Sequence, residues 1–215
     1  MVNGRQVLLQ RGMNVMHING GKGGSSLPIQ VASLLKSPQK PQAMIFFGFG
    51  SGGDGSDGHF YKLFDFQKAV TSWCQAGGRF IVQGERVEST GNWPQWFGKD
   101  WKNSSYYRTD HKCHANSNDD QSWCTWYSSK KGAVPSRYNV KACMLTNVEP
   151  QDVLFGAQEG ARSYSLVPGF GGEEIDESNT AVAFARYGEG TVSYFGDVNH
   201  EQETLEIMSV IAMGN

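Results

Sequence analysis

Apolar positions in the first 90 residues alternate between short continuous runs and helical spacing. Ala43-Met44-Ile45-Phe46-Phe47 is an unbroken apolar run ending at Gly48, the pattern of a central strand buried on both faces. Phe66, Ala69, Val70, Trp73 and Cys74 then recur at i, i+3, i+4, i+7 and i+8, which is one face of a helix. Gly77-Gly78 supplies its stop. Arg79 to Gln83 follows as the next strand, so residues 43–85 predict a right-handed βαβ unit. Leu27 to Lys36 carries another helical pattern after the glycine-rich stretch 20–26. Nearer the start, a strand at about 14–18 is favoured, and 7–12 fits either a strand or a short helix.

Two β-rich runs, Ala181 to Arg186 and Thr191 to Phe195, flank Tyr187-Gly188-Glu189-Gly190 and predict an antiparallel hairpin. A last helix follows, with Asn199 as N-cap, Gln202 three residues on, and Glu201 and Glu203 at the positive end of the dipole. Its buried stripe is Leu205, Met208, Ile211 and Ala212. Strands alternating with helices predict an α/β layer fold with a mostly parallel sheet. A single domain over 1–215 suits this length and the absence of a linker.

Composition narrows the functions. With 19 Lys+Arg against 21 Asp+Glu and a net charge of −2, no generic nucleic-acid grip is expected. No apolar run reaches the length of a membrane span, and Met1 to Met16 lacks the features of a signal peptide. These features, with four cysteines, predict a cytoplasmic or organellar matrix location. The 27 glycines and six tryptophans are unevenly spread. Glycine gathers in strand-end loops, and five tryptophans fall in an aromatic-rich insertion at about 91–140.

Candidate chemistry lies at the strand ends. In the run of Gly48, Gly50, Gly52 and Gly53, the glycines at 48, 50 and 53 match the letters of a dinucleotide fingerprint, but no helix pattern opens at the third of them. No cofactor is therefore expected, and the loop's amides remain a candidate anion or ligand cradle. Gln83 and Glu85 end the second strand, and Asp197, Asn199 and His200 lie between the last strand and last helix. Glu85, Asp197 and His200 are the acid/base candidates, weighed against a solvated Glu85, a turn-forming Asp197 and a solvent-facing His200. Trp93 and Trp96 are candidate stacking surfaces for a sugar, or parts of a satellite core. His111, Cys113, His114 and Cys124 complete only half of a paired zinc pattern, so no metal is expected. Cys113 fits a buried thiol or a bridge to Cys124, and Cys74 and Cys143 fit the core.

The apolar strand with its glycine-rich loop, the run Ala76 to Glu85 and the terminal Val182 to Asp197 segment together resemble the class I glutamine amidotransferase-like superfamily. The trehalose-utilisation type and related branches are the nearest in flavour. The similarity covers residues 43–90 and 181–213 and leaves the Trp-rich middle unmatched. It implies a flavodoxin-like three-layer sandwich, with oxyanion-hole amides at Gly48 to Gly53, the nucleophilic Cys at Val82 or Gln83, and the triad His near Asp197. This chain has neither the Cys nor the His there, so glutaminase chemistry is not expected. The expectation is a non-catalytic binding or assembly module that keeps the ancestral cleft. Its ligand would be a small polar metabolite or sugar, or a protein partner reached through the insertion. The alternative is a carbohydrate- or small-metabolite-active hydrolase or isomerase using Glu85 with Asp197 or His200.

Overall fold

The computed structural model describes residues 14, 16, 27–47, 64–84, 93–114, 135–164 and 172–214. The predicted glycine-rich loops, the strand at 14–18 apart from Asn14 and Met16, and Glu85, Trp123, Cys124 and Trp126 lie outside them. Element order is α1 (Leu27–Leu35), β1 (Ala43–Phe47), α2 (Phe64–Gln75), β2 (Arg79–Gln83), α3 (Trp93–Phe97), β3 (Lys102–Cys113) and β4 (Arg137–Thr146). A short turn at Pro150–Asp152 leads into β5 (Val153–Ala157), β6 (Thr180–Tyr187), β7 (Gly190–Phe195) and α4 (Gln202–Met213).

One seven-stranded sheet runs β1-β2-β7-β6-β4-β3-β5, and β5 also pairs with β6. Strands β3 to β6 therefore close on themselves as a four-stranded barrel. Only β1–β2 and β2–β7 are parallel; the other five of the seven pairings are antiparallel. This overturns the mostly parallel, flavodoxin-like α/β sandwich. Alternating strands and helices hold only as far as β3, from which strand follows strand and antiparallel partners need no crossover helix. The deciding strand is β3, in the aromatic-rich segment. Lys102 to Cys113 reads Lys-Asn-Ser-Ser-Tyr-Tyr-Arg-Thr-Asp-His-Lys-Cys, too polar for the apolar-run signal that picked out β1 and β2.

β1 is also corrected. Among the described strands it is an edge, and Ala43 to Phe46 are half-buried, whereas the central position belongs to β6 and β7. The hairpin forms as expected, with Tyr187 opposite Gly190 and Gly188 in the left-handed region at φ 62°, as its tight turn requires. Glu189 N donates to Gln75 O at 3.0 Å and Thr191 N to Gly78 O at 3.1 Å, which docks the turn on the end of α2.

Two apolar clusters cover opposite faces of the sheet. On one face, Val31 and Leu35 of α1 and Phe66, Val70 and Trp73 of α2 pack with Phe80, Val82, Val192 and Tyr194. On the other, Ile207, Met208 and Ile211 of α4 pack with Ile81, Phe195, Val182, Phe184 and the inward row Tyr138, Val140, Ala142 and Met144 of β4. The stripes expected on α2 and α4 are buried throughout. Arg79 Nη1 donates to Ala212 O at 3.0 Å, satisfying a carbonyl that the last turn of α4 leaves open, and Gly214 ends the helix at φ 76°.

Candidate functional site

Where β7 ends, the chain crosses onto β4. Cys143 N donates to Gly196 O at 2.9 Å and Val198 N to Lys141 O at 3.1 Å, and Ala142 and Asp197 form an antiparallel bridge. The crossing carries the 197–201 turn from the carboxyl end of β7 to the outer side of β3 and β4.

Asp197 organises that turn. Its Oδ1 accepts the Asn199 amide and its Oδ2 the Glu201 amide, each at 2.7 Å, and the residue is 1% exposed. The N-cap of α4 is Glu201 and makes no side-chain cap bond, so the expected Asn199 cap lies two residues early. Asp197 takes over the ordering of the turn. Buried among backbone donors, it is a structural anchor, as the turn-forming alternative anticipated. His200 is half-buried with φ 53°; Asn199 is exposed.

Gln83, at the carboxyl end of β2, is fully buried. Its Nε2 donates to the Asp197 carbonyl at 3.2 Å, while its Oε1 has no hydrogen-bond partner among the described residues. An unmatched buried amide oxygen is costly. Of the expected site, the structure thus brings together Gln83 and the 197–200 turn. Gly48, Gly50, Gly52, Gly53 and Glu85 lie outside the described residues.

Trp93 and Trp96 are corrected as ligand-stacking residues: they are 3% and 5% exposed. The Trp93 ring lies 5.1 Å from Trp101 and 6.4 Å from Tyr194, and Trp96 lies 5.8 Å from Phe66. Helix α3 is an aromatic plug under the sheet, as in the satellite-core alternative.

A polar cluster absent from the sequence reading gathers beside the turn, built largely on strands β3 and β4. Arg108 donates from Nη1 to Asn139 Oδ1 at 2.8 Å and from Nη2 to Glu201 Oε1 at 2.5 Å. Asn139 Nδ2 donates to Asp110 Oδ1, and Tyr164 Oη to Asp110 Oδ2, both at 2.8 Å. These donors hold the Asp110 carboxyl below the usual range, Asn139 contributing most and Tyr164 next. Their signal is a period of two, Arg108 and Asp110 on β3 facing Lys141 and Asn139 on β4. It became legible only once the two strands were paired.

The opposite face of β3 looks inward. His111 is fully buried, and among the described residues neither ring nitrogen finds a hydrogen bond of good geometry. Burial pushes its pKa down to about 4, against the pull of Asp110 and a contact with the Gly156 backbone. The ring is neutral at neutral pH. A depressed folded pKa means that the unfolded chain binds more protons between about 4 and the ordinary value of 6.5, so His111 costs stability as pH falls through that window. Relative to a His111→Leu variant, the protein should lose about 2 kcal/mol between pH 8 and pH 5. Urea unfolding of both proteins at the two pH values checks this, because titrations common to both cancel in the difference.

Among the described residues no group of three or more His, Cys, Asp or Glu side chains is placed to hold a metal ion, and no helix is long and apolar enough to cross a membrane. His111 and Cys113 face inward, where Cys113 is 5% exposed.

No protein-family model and no curated protein matches the chain. Among solved structures it is similar to the exo-beta-1,4-mannosidase Op5Man5 from Opitutaceae bacterium strain TAV5, at 15% identity and a TM-score of 0.30. That match covers 90% of this chain and 30% of the mannosidase chain, a superposition too loose to fix either fold or activity.

Proposed function

We propose that the protein is a non-catalytic binding module whose ligand site lies at the carboxyl ends of β2 and β7, around Gln83, Asn199, Glu201 and Arg108. The observation that carries this reading is the commitment of Asp197. Both of its oxygens are bound to amides of its own turn, so the acid/base role that a hydrolase or isomerase would need is taken up in structure. The strand position that would bear a nucleophilic thiol holds Val82 in the core and Gln83 beside the turn. The side chains around that turn are hydrogen-bonding groups, suited to holding a small polar metabolite. The proposed kinship with the glutamine amidotransferase-like superfamily rests on β1 to β2 and the β6–β7 hairpin.

A library of small polar metabolites, read in parallel by thermal shift and by product formation, tests the reading. A bound ligand at 100 times its Kd stabilises by about 2.7 kcal/mol, with no product formed. Gln83→Leu should leave the unliganded protein as stable as the wild type or more so, since it removes the unmatched oxygen, and should abolish the ligand's shift. Turnover that collapses on Asp197→Asn would overturn the proposal. Glu201→Gln should lower stability by under about 1 kcal/mol, because its pair with Arg108 is partly solvated, yet weaken the ligand response by unfixing Arg108. Titration calorimetry with the ligand found in the screen, set beside a melt of the variant, checks both halves.

A further inference from the structure

The outer face of the β3–β4 pair carries an ordered polar surface with aromatic rings beside it. Register places Arg108 opposite Lys141 and Asp110 opposite Asn139, and Tyr106 lies on the same face two residues before Arg108. Tyr106 and Tyr164 are each 55% exposed. The Lys141 ammonium sits 4.8 Å from the centroid of the Tyr106 ring. Tyr164 is held by its Oη on Asp110 and by its amide on the Arg108 carbonyl at 2.9 Å. About 13 Å of strand separates Tyr106 from Asp110, so the surface is longer than one sugar ring. We infer that this face is a binding platform for a neutral oligosaccharide.

Three features favour that ligand. The tyrosines offer ring surface to the C–H face of a pyranose, and strand geometry together with the polar contacts holds them. Arg108, Asn139 and Asp110 are planar groups already bonded to one another, with capacity to spare. Arg108 uses two of its five N–H donors in these bonds, Asn139 has a second amide hydrogen, and each Asp110 oxygen has a second lone pair. Vicinal hydroxyls, which both donate and accept, match such a set. Lys112 and Arg137 lie opposite each other at one end of the same face, while at its centre charge selects against anions: Arg108 and Lys141 are balanced by Asp110 and Glu201, and Glu201 already takes one of the guanidinium's donors. A phosphate or sulfate would meet two carboxylates here. This surface shares Arg108 and Glu201 with the proposed site at β2 and β7 but extends away from it along β3 and does not use Gln83, which therefore distinguishes the two.

Affinity gel electrophoresis through β-1,3/1,4-glucan, glucomannan, xylan and dextran is the direct test. At least one neutral polymer should retard the wild-type protein, and the retardation should persist at about 0.5 M salt, where exposed charge interactions are screened. Tyr106→Ala and Tyr164→Ala should each weaken binding roughly tenfold, as the loss of one stacked ring predicts, while Gln83→Leu leaves it unchanged. If either tyrosine variant fails to fold, wild-type footprinting replaces it: bound polymer should protect Tyr106 and Tyr164 from nitration, read by mass spectrometry. No retardation by any of the four polymers, binding indifferent to both tyrosines, or retention only by a sulfated polymer and lost in salt would each overturn the proposal. Loss of binding in Gln83→Leu alone would place the ligand at the β2–β7 site and overturn the platform, leaving the binding-module reading intact.

Discussion

Gly196→Ala is expected to destabilise the protein by about 3 kcal/mol, the scale of a substitution that forces backbone apart in a packed core. A methyl group there would land on the Cys143 carbonyl oxygen and meet Ala142 Cβ at 3.1 Å. That carbonyl accepts the Tyr194 hydroxyl at 2.8 Å, and the Cys143 amide donates to Gly196 O at 2.9 Å. Relief of the clash would therefore open the crossing of β7 onto β4 and leave the fully buried Tyr194 hydroxyl without its acceptor, with the cost of an unmet polar group. The contact is with backbone, which no rotamer change can move. Urea unfolding measures the loss. A Gly196→Ala variant as stable as the wild type would show that β7 and β4 do not cross this closely. Because the 197–201 turn starts at the crossing, the variant should also lose any ligand response that depends on Arg108 and Glu201.

Lys99→Met should be of similar size and should carry a pH signature. Lys99 Nζ lies 2.5 Å from Asp152 Oδ2, with side-chain exposures of 18% and 4%. Burial raises the Asp152 pKa to about 6 even with the lysine attached, the ammonium opposing the shift and Glu149 adding to it. Removing one partner of a buried pair leaves an uncompensated charge, at a cost of about 3 kcal/mol near neutral pH. Because the folded pKa is raised, the folded chain binds more protons than the unfolded chain between about 3.8 and 6, and stability falls as pH rises through that window. Without Lys99 the upper edge moves higher still. The variant should thus recover much of its deficit as the pH is lowered toward 5, and Lys99→Met/Asp152→Asn should remove the pH dependence of the deficit. Thermal melts of the three proteins at pH 5 and pH 8 decide it; a deficit independent of pH would mean that Asp152 is not charged in the fold.

Both predictions fall on residues with no prior signal. Gly196 is one glycine among 27, and its need to lack a side chain comes from a carbonyl far earlier in the chain, that of Cys143. Lys99 and Asp152 are separated by 53 residues. Local pattern carries no information on such encounters. The elements it did reveal, α1, α2, β1, β2, the β6–β7 hairpin and α4, are those whose burial shows as an apolar run or a helical stripe. The candidate site was legible in part. Gln83 and the 197–200 turn do meet, but Asp197 anchors the turn, and Trp93 and Trp96 belong to the core.

The strand that redirected the fold is β3. Its inward residues Thr109 and His111 are buried but polar, and its outward residues are Arg108 and Asp110, so neither face shows the apolar alternation of a half-buried strand. Only pairing with β4, whose Tyr138, Val140, Ala142 and Met144 supply the apolar inner row, makes β3 a strand and closes the barrel with β5 and β6.

The amino-acid sequence by itself determined the parallel β1–α2–β2 run, the terminal hairpin and the helix after it, because local periodicity and glycine stops encode elements that bury one continuous face. It also carried the absence of a thiol at positions 82 and 83, since residue identity needs no fold to be read. Tertiary structure alone decided which strands became neighbours, which glycine had to lack a side chain, and which carboxylate was consumed as an anchor. Those outcomes depend on contacts between residues far apart in the chain, and whether a polar side chain is ligand-facing, structural or solvated depends on the partner that packing brings to it.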